Sequence, residues 1–327
     1  MKNLIAAFPD NIIEALKIAE NASIQPLASN ITNVVICGMG GSGIGGKIVS
    51  QWISNYAKIP VLFAQDYTLP AFVGPNTLVI GSSYSGNTEE TLISLIEAKE
   101  RGSRVIGICS GGELLTFCER NNYDCVVVPG GNPPRTALAF SMVQLTSIFV
   151  KLGMAPESLL SEIILGHKLI VDLSAEIKTE AKQIAEKLFG KIVSVYAGAD
   201  YEGVAIRAKQ QFNENSKELC WQHVIPEMNH NELVGWGDGN DRFAALFIHT
   251  DDLNKRNERR FNISVDIVRS KTPHVVLVEA KGETQIQKSI YLIHLIDWVS
   301  FYWSELKDGD PIEIRVIDYL KDELSKL

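Results

Sequence analysis

Five short apolar runs punctuate the first 130 residues, and each is followed by a turn-rich or amphipathic stretch. They are VVIC (34–37), VLFA (61–64), TLVIG (77–81), RVIGIC (104–109) and CVVVP (125–129). Strands covered on both faces read as unbroken apolar runs, and helices between them make the crossovers that parallel pairing requires. This pattern predicts an α/β fold, with a mainly parallel sheet flanked by helices. PGGNPPR (129–135) closes the series and leads into an apolar helix over 136–153.

Residues 154–190 read as a helical connector, after which the order repeats. VSVYAG (193–198) leads into a helix as VVICG does. AALFIHT (244–250), a helical stretch and HVVLVEAKG (274–282) then follow. We expect an internal duplication of one doubly wound, flavodoxin-like unit, with domains at 1–153 and 154–327. The copies are not equivalent. Where the first has SSYSGNT the second has HTDDLNKRN, and the second glycine cluster shrinks to GADYEG.

With 327 residues and 46 % hydrophobic content, the chain can bury a large core. A net charge of −8 offers no general attraction for nucleic acid or an acidic membrane surface, so any anion binding must be local. The five cysteines form no CxxC pair and lack zinc-site spacing, so no metal is expected. No segment supplies about eighteen consecutive apolar positions, and the first twenty residues lack a signal peptide's apolar centre. A cytoplasmic protein is the expectation.

Two loops carry the functional signal: GMGGSGIGG (38–46) and GSSYSGNTEET (81–91), each placed after an apolar run. Amides at a helix start carry partial positive charge, and small residues let an anion reach them. Ser83, Ser85 and Thr88 add hydroxyl donors. The glycines also satisfy a dinucleotide fingerprint, but the acidic candidate Asp66 follows Gly38 by 28 positions, against about twenty in that fingerprint. Gly41 to Lys47 fits the ATP-loop pattern except that Ile48 replaces its final hydroxyl residue. A tight turn alone accounts for one or two of the glycines, and Ser85 or Thr88 alone for a helix cap. The reading is a protein that holds a phosphorylated small molecule.

These loops and the tandem units together resemble sugar isomerase (SIS) domain proteins. PPRTALAF (133–140), FNENSK (212–217) and EMNHNELVGW (227–236) resemble more specifically the bifunctional phosphoglucose/phosphomannose isomerase family. The resemblance implies two SIS domains, a homodimer, no cofactor, and a sugar phosphate substrate. The implied reaction interconverts glucose 6-phosphate or mannose 6-phosphate with fructose 6-phosphate. It implies phosphate binding by Gly41, Ser42, Ser83, Ser85 and Thr88. It also implies Glu214 as catalytic base, His230 as ring-opening group (in its own or a partner subunit's site), Arg135 beside the reacting carbons, and Lys321 as the active-site lysine.

The residue types suit that chemistry. One carboxylate can move a proton between neighbouring carbons through an enediolate, a histidine can act near the ring oxygen at neutral pH, and an arginine can offset developing charge. Each has a plainer alternative: Glu214 as a solvated helix charge, His230 as a surface histidine with His223 as its rival, Arg135 as a salt-bridge partner, and Lys307 in place of Lys321. Trp221, Trp236, Trp298 and Trp303 are expected in the core or an interface, KRNERR (255–260) on a solvated helix face, and HLIDWVSFYW (294–303) in a packing or dimer helix. Two further readings stay open, a non-catalytic phosphosugar sensor and an isomerase of another sugar phosphate.

Overall fold

Alternation of apolar runs and helices builds two separate parallel sheets in the computed structural model, which describes residues 1–327 except 28, 29, 325 and 327. The chain divides into two compact units. The first contains Ala6–Asp172 and Lys281–Tyr291; the second contains Met1–Ile5, Leu173–Ala280 and Leu292–Leu327.

In the first unit the strands are β1 (Asn33–Cys37), β2 (Val61–Ala64), β3 (Thr77–Ser82), β4 (Arg104–Cys109) and β5 (Asp124–Val127). They pair in the order β2-β1-β3-β4-β5, every pair parallel. Every residue of β3 is buried, as its apolar run required. Its core joins Val35, Val79 and Val105 to Leu95 and Leu114 from the covering helices. The order reverses between β1 and β3, so their following segments leave on opposite faces. A crevice opens at the carboxyl ends of such a pair. Both predicted loops, after β1 and after β3, lie at this point.

The second unit repeats the plan with β6 (Ile192–Gly198), β7 (Cys220–Ile225), β8 (Phe243–His249) and β9 (Val275–Glu279), in the order β7-β6-β8-β9. The strand β7 was not among those expected, because CWQHVI contains no apolar run; it is a half-buried edge strand. Phe247 packs against Tyr196 and Phe261, with ring centroids 4.8 and 5.5 Å apart. The helix Lys255–Arg269 buries Phe261, Val265 and Val268 and leaves Lys255, Arg256, Arg259 and Arg260 exposed, as expected for KRNERR.

Helices Ser158–Asp172 and Ser174–Leu188 form the expected helical stretch, one in each unit. The helix Gln285–Leu306 buries Trp298 and Trp303 in the second unit's core. Among the described residues no helix is long and apolar enough to cross a membrane.

Candidate active site

The helix Gly40–Trp52 begins inside the glycine loop, and crowding explains most of its composition. A Cβ on Gly43 would lie 2.4 Å from the Gly38 carbonyl oxygen, and one on Gly45 would lie 2.3 Å from Ser141 Oγ. Tight packing therefore accounts for more of the glycines than the one or two a turn was expected to need. Gly41 has a further neighbour: a Cβ there would stand 3.0 Å from the Pro134 carbonyl oxygen and 3.2 Å from Arg135 Cα. The loop thus lies against the short 3-10 turn Pro134–Thr136, which carries Arg135 at 2 % exposure.

The two loops form one hydrogen-bonded feature. Ser42, in the first helical turn, accepts the Tyr84 backbone N–H on Oγ at 2.9 Å, and its carbonyl accepts the Ser82 hydroxyl at 3.3 Å. Ser83 and Thr88 pair hydroxyl to hydroxyl at 2.8 Å. Thr88 occupies the N-cap of the helix Glu89–Glu100 without a side-chain cap bond, so its hydroxyl does not serve the capping role considered for it. The exposed Ser85 accepts the Asn87 backbone N–H at 3.2 Å. A void of about 10 Å³ is lined in part by Gly41, Ser42, Ser82 and Pro134.

In the second unit Glu214 ends the helix Glu202–Glu214. One face of that helix is polar but dry. Arg207 donates to both oxygens of Asp297, and Gln211 Nε2 donates to Asp297 Oδ1 at 2.7 Å. Just past the helix, Asn215 Nδ2 donates to Ser300 Oγ and Ser216 Oγ to the Ser300 carbonyl, both at 2.9 Å. Six buried residues, Arg207, Gln211, Asn215, Ser216, Asp297 and Ser300, therefore fix the helix end that bears Glu214.

His230 is exposed at the end of the 3-10 turn Glu227–His230. Two residues on, Glu232 collects four donors from β6 and β7. Tyr196 Oη (2.6 Å), Trp221 Nε1 (2.8 Å) and Ser194 Oγ (3.1 Å) donate to Oε1, and His223 Nδ1 lies 2.8 Å from Oε2. Partial burial opposes ionisation here, but the bonds from Tyr196, Trp221, His223 and Ser194 outweigh it and hold the carboxyl below its ordinary range. Register explains the convergence: Ser194 pairs with Trp221 and Tyr196 with His223, and alternate residues share a face. His223, the rival to His230, is thus committed to Glu232. Trp221, Trp236 and Tyr196 line a cavity of about 400 Å³ beside this carboxylate. Sequence reasoning missed Glu232; the paired alternations S-x-Y and W-x-H were its only signal.

Lys321 is exposed on the helix Arg315–Leu324, which buries none of its residues. Its rival Lys307 is occupied, donating to the Lys217 carbonyl at 3.3 Å and the Glu218 carboxylate at 2.7 Å, directly after the Glu214 helix. Cys37, Cys109, Cys118 and Cys220 are buried free thiols, and burial raises Cys37 and Cys220 to about 12. Among the described residues no group of three or more His, Cys, Asp or Glu is arranged to hold a metal.

Residues 28–118 match the SIS domain, and residues 177–324 match the bacterial phospho-glucose isomerase C-terminal SIS domain. A bifunctional phosphoglucose/phosphomannose isomerase of Caldicellulosiruptor bescii is 37 % identical over 98 % of this chain and 97 % of its own. The chain belongs to the bifunctional phosphoglucose/phosphomannose isomerase family. Another family member, from Aquifex aeolicus, is 33 % identical over 92 % of this chain and 94 % of its own. The SIS fold extends to remote proteins. The C-terminal domain of glucosamine-fructose-6-phosphate aminotransferase from Francisella tularensis matches with a TM-score of 0.75 at 15 % identity, covering 94 % of this chain and 96 % of that one.

Proposed function

We propose that this protein is an aldose-ketose isomerase that interconverts glucose 6-phosphate and mannose 6-phosphate with fructose 6-phosphate. The reading rests on similarity to bifunctional isomerases that spans 98 % of the chain and so includes both units. In it, Gly41, Ser42, Ser83, Ser85 and Thr88 bind the phosphate. Ser42 Oγ and Ser85 Oγ already accept backbone N–H groups, which leaves each hydroxyl hydrogen to donate. Glu214 takes the proton from carbon 2 of the aldose and returns it to carbon 1. The carbon–hydrogen bonding pair becomes the enediolate double bond, the former carbonyl oxygen takes the charge, and Arg135 offsets it. His230 moves the proton that opens the ring, and Lys321 is the active-site lysine. The reaction as proposed uses no metal or organic cofactor.

The working form in this reading is a cytoplasmic homodimer. The helix Arg315–Leu324 exposes Val316 at 83 %, Tyr319 at 66 % and Leu320 at 57 %, a stripe that a second copy would cover. Buried reduced thiols suit the cytosol.

Chelator-treated protein incubated with fructose 6-phosphate in deuterated water and followed by proton NMR tests the reading. Glucose 6-phosphate and mannose 6-phosphate, both deuterated at carbon 2, are the expected products. Binding without turnover would make the protein a phosphosugar sensor, and a lack of binding would assign it to another sugar phosphate.

A further inference from the structure

His230 stands on a segment that does not hold itself in place. The 3-10 turn Glu227–His230 and the helix Glu232–Gly235 each span four residues, too few for intrahelical bonding to fix them. Anchors on either side of His230 do that instead. Before it, Met228 is fully buried and Asn229 Nδ2 donates to Ser264 Oγ at 2.7 Å. After it, Asn231 caps the short helix through the Glu232 backbone N–H, and the Glu232 carboxylate is gripped by Ser194, Tyr196, Trp221 and His223. The exposed imidazole is therefore carried between two pins, one in the core and one on the edge of the sheet.

We propose that Glu232 is a positioning residue that fixes the backbone presenting His230 for ring opening; this rests on the reading of His230 given above. A misplacement of about 1 Å at a reacting group costs on the order of a hundredfold in rate, so an exposed acid/base group needs a rigid mount. The site also explains why the loss would fall on function. Glu232→Ala would leave two of its donors, Tyr196 and Trp221, lining the cavity of about 400 Å³, where water can satisfy them, while the pin after His230 is gone. Glu232→Gln keeps an acceptor oxygen for Ser194, Tyr196 and Trp221 and turns an amide N–H toward His223 Nδ1, which accepts it in the tautomer protonated at Nε2.

Two-dimensional exchange NMR of the glucose 6-phosphate anomers reads ring opening without carbon–hydrogen chemistry. Glu232→Ala is expected to lower the protein-catalysed anomer exchange at least tenfold with phosphosugar affinity unchanged, and Glu232→Gln to restore it to within threefold of the parent. Exchange at the parent rate in Glu232→Ala, with His230→Asn inactive, would overturn the proposal. Parent-rate exchange in His230→Asn, or none in the parent, would instead overturn the role given to His230, and the proposal with it. If Glu232→Ala does not fold, Tyr196→Phe, which removes the shortest bond to Glu232, is the decisive variant. A loss of at least threefold supports the proposal, and an unchanged rate overturns it.

Discussion

Arg207 grips both carboxylate oxygens of Asp297, at 2.9 and 3.1 Å, in a pair whose side chains are 1 % and 6 % exposed. Desolvation makes such a pair a poor source of stability, and removing either partner strands a buried charge. Arg207, Gln211 and Glu214 follow one another at spacings of four and three along one helix face, so the pair also sets the angle at which the helix ends. We expect Arg207→Met and Asp297→Leu each to cost about 3 to 5 kcal/mol. The double variant should recover most of that stability in urea titrations, yet turn over at least tenfold more slowly than the parent. Full recovery of both would show that the pair serves packing alone.

Binding and chemistry should separate cleanly by residue. Ser85→Ala removes a hydroxyl at the exposed rim of the serine loop, and calorimetry should find phosphosugar affinity weaker by roughly 1 to 3 kcal/mol, as for a lost charge-assisted bond. Glu214→Gln should abolish turnover while affinity stays within a few fold. Unchanged affinity in the first variant would move the phosphate elsewhere, and unchanged turnover in the second would remove Glu214 from the reaction.

Acid stability should depend on a residue outside the proposed chemistry. His294 is 2 % exposed and accepts the Trp298 indole N–H at 3.2 Å; burial, with the charge of Lys178, lowers it from 6.5 to about 3. Below 6.5 the unfolded chain takes up a proton at this residue that the native protein refuses. Its share of stability is therefore complete above 6.5 and is lost as the pH falls toward 3, at about 1.4 kcal/mol per pH unit. Urea midpoints between pH 4 and 7 should fall less steeply in His294→Gln, which keeps an acceptor for Trp298. Parallel slopes would mean that His294 is charged in the native state.

Two neighbouring glycines should respond differently to alanine. At Gly43 the new methyl would meet the Gly38 carbonyl oxygen at 2.4 Å, backbone against backbone, and the melting temperature should fall by many degrees. At Gly41 the nearest atoms stand at 3.0 to 3.2 Å in the Pro134–Arg135 turn, which needs to yield only a few tenths of an ångström. Gly41→Ala should therefore melt close to the parent but lose activity through displaced Arg135. Equal melting losses would show that the turn is as rigid as the strand–helix junction.

The first sheet was legible because its strands are apolar runs, and a parallel strand buried on both faces leaves no other pattern. The edge strand β7 escaped for the converse reason. Trp221 and His223 are there to meet Glu232, so polar chemistry replaced the apolar signal. The serine loop could be singled out from local spacing, but its hydrogen bond from Tyr84 to Ser42 joins residues 42 positions apart. A helix after VVICG was expected, but its start at Gly40, inside the glycine loop, was hidden, since helix propensity counts against glycine and only close packing rescues it there.

The shared strand order of the two sheets gives each a switch point between its first and third strands, flanked by the segments that follow them. In the first sheet those segments are joined by the Tyr84 amide and the Ser42 hydroxyl; in the second, Tyr201 Oη donates to Asp252 at 2.6 Å, with Asp251 alongside. On the proposed reading, a phosphate dianion that meets hydroxyls after the first sheet's strands would confront the Asp251 and Asp252 carboxylates at the matching place in the second. The duplication that repeats the strand order therefore does not repeat the anion site that is proposed for the first unit.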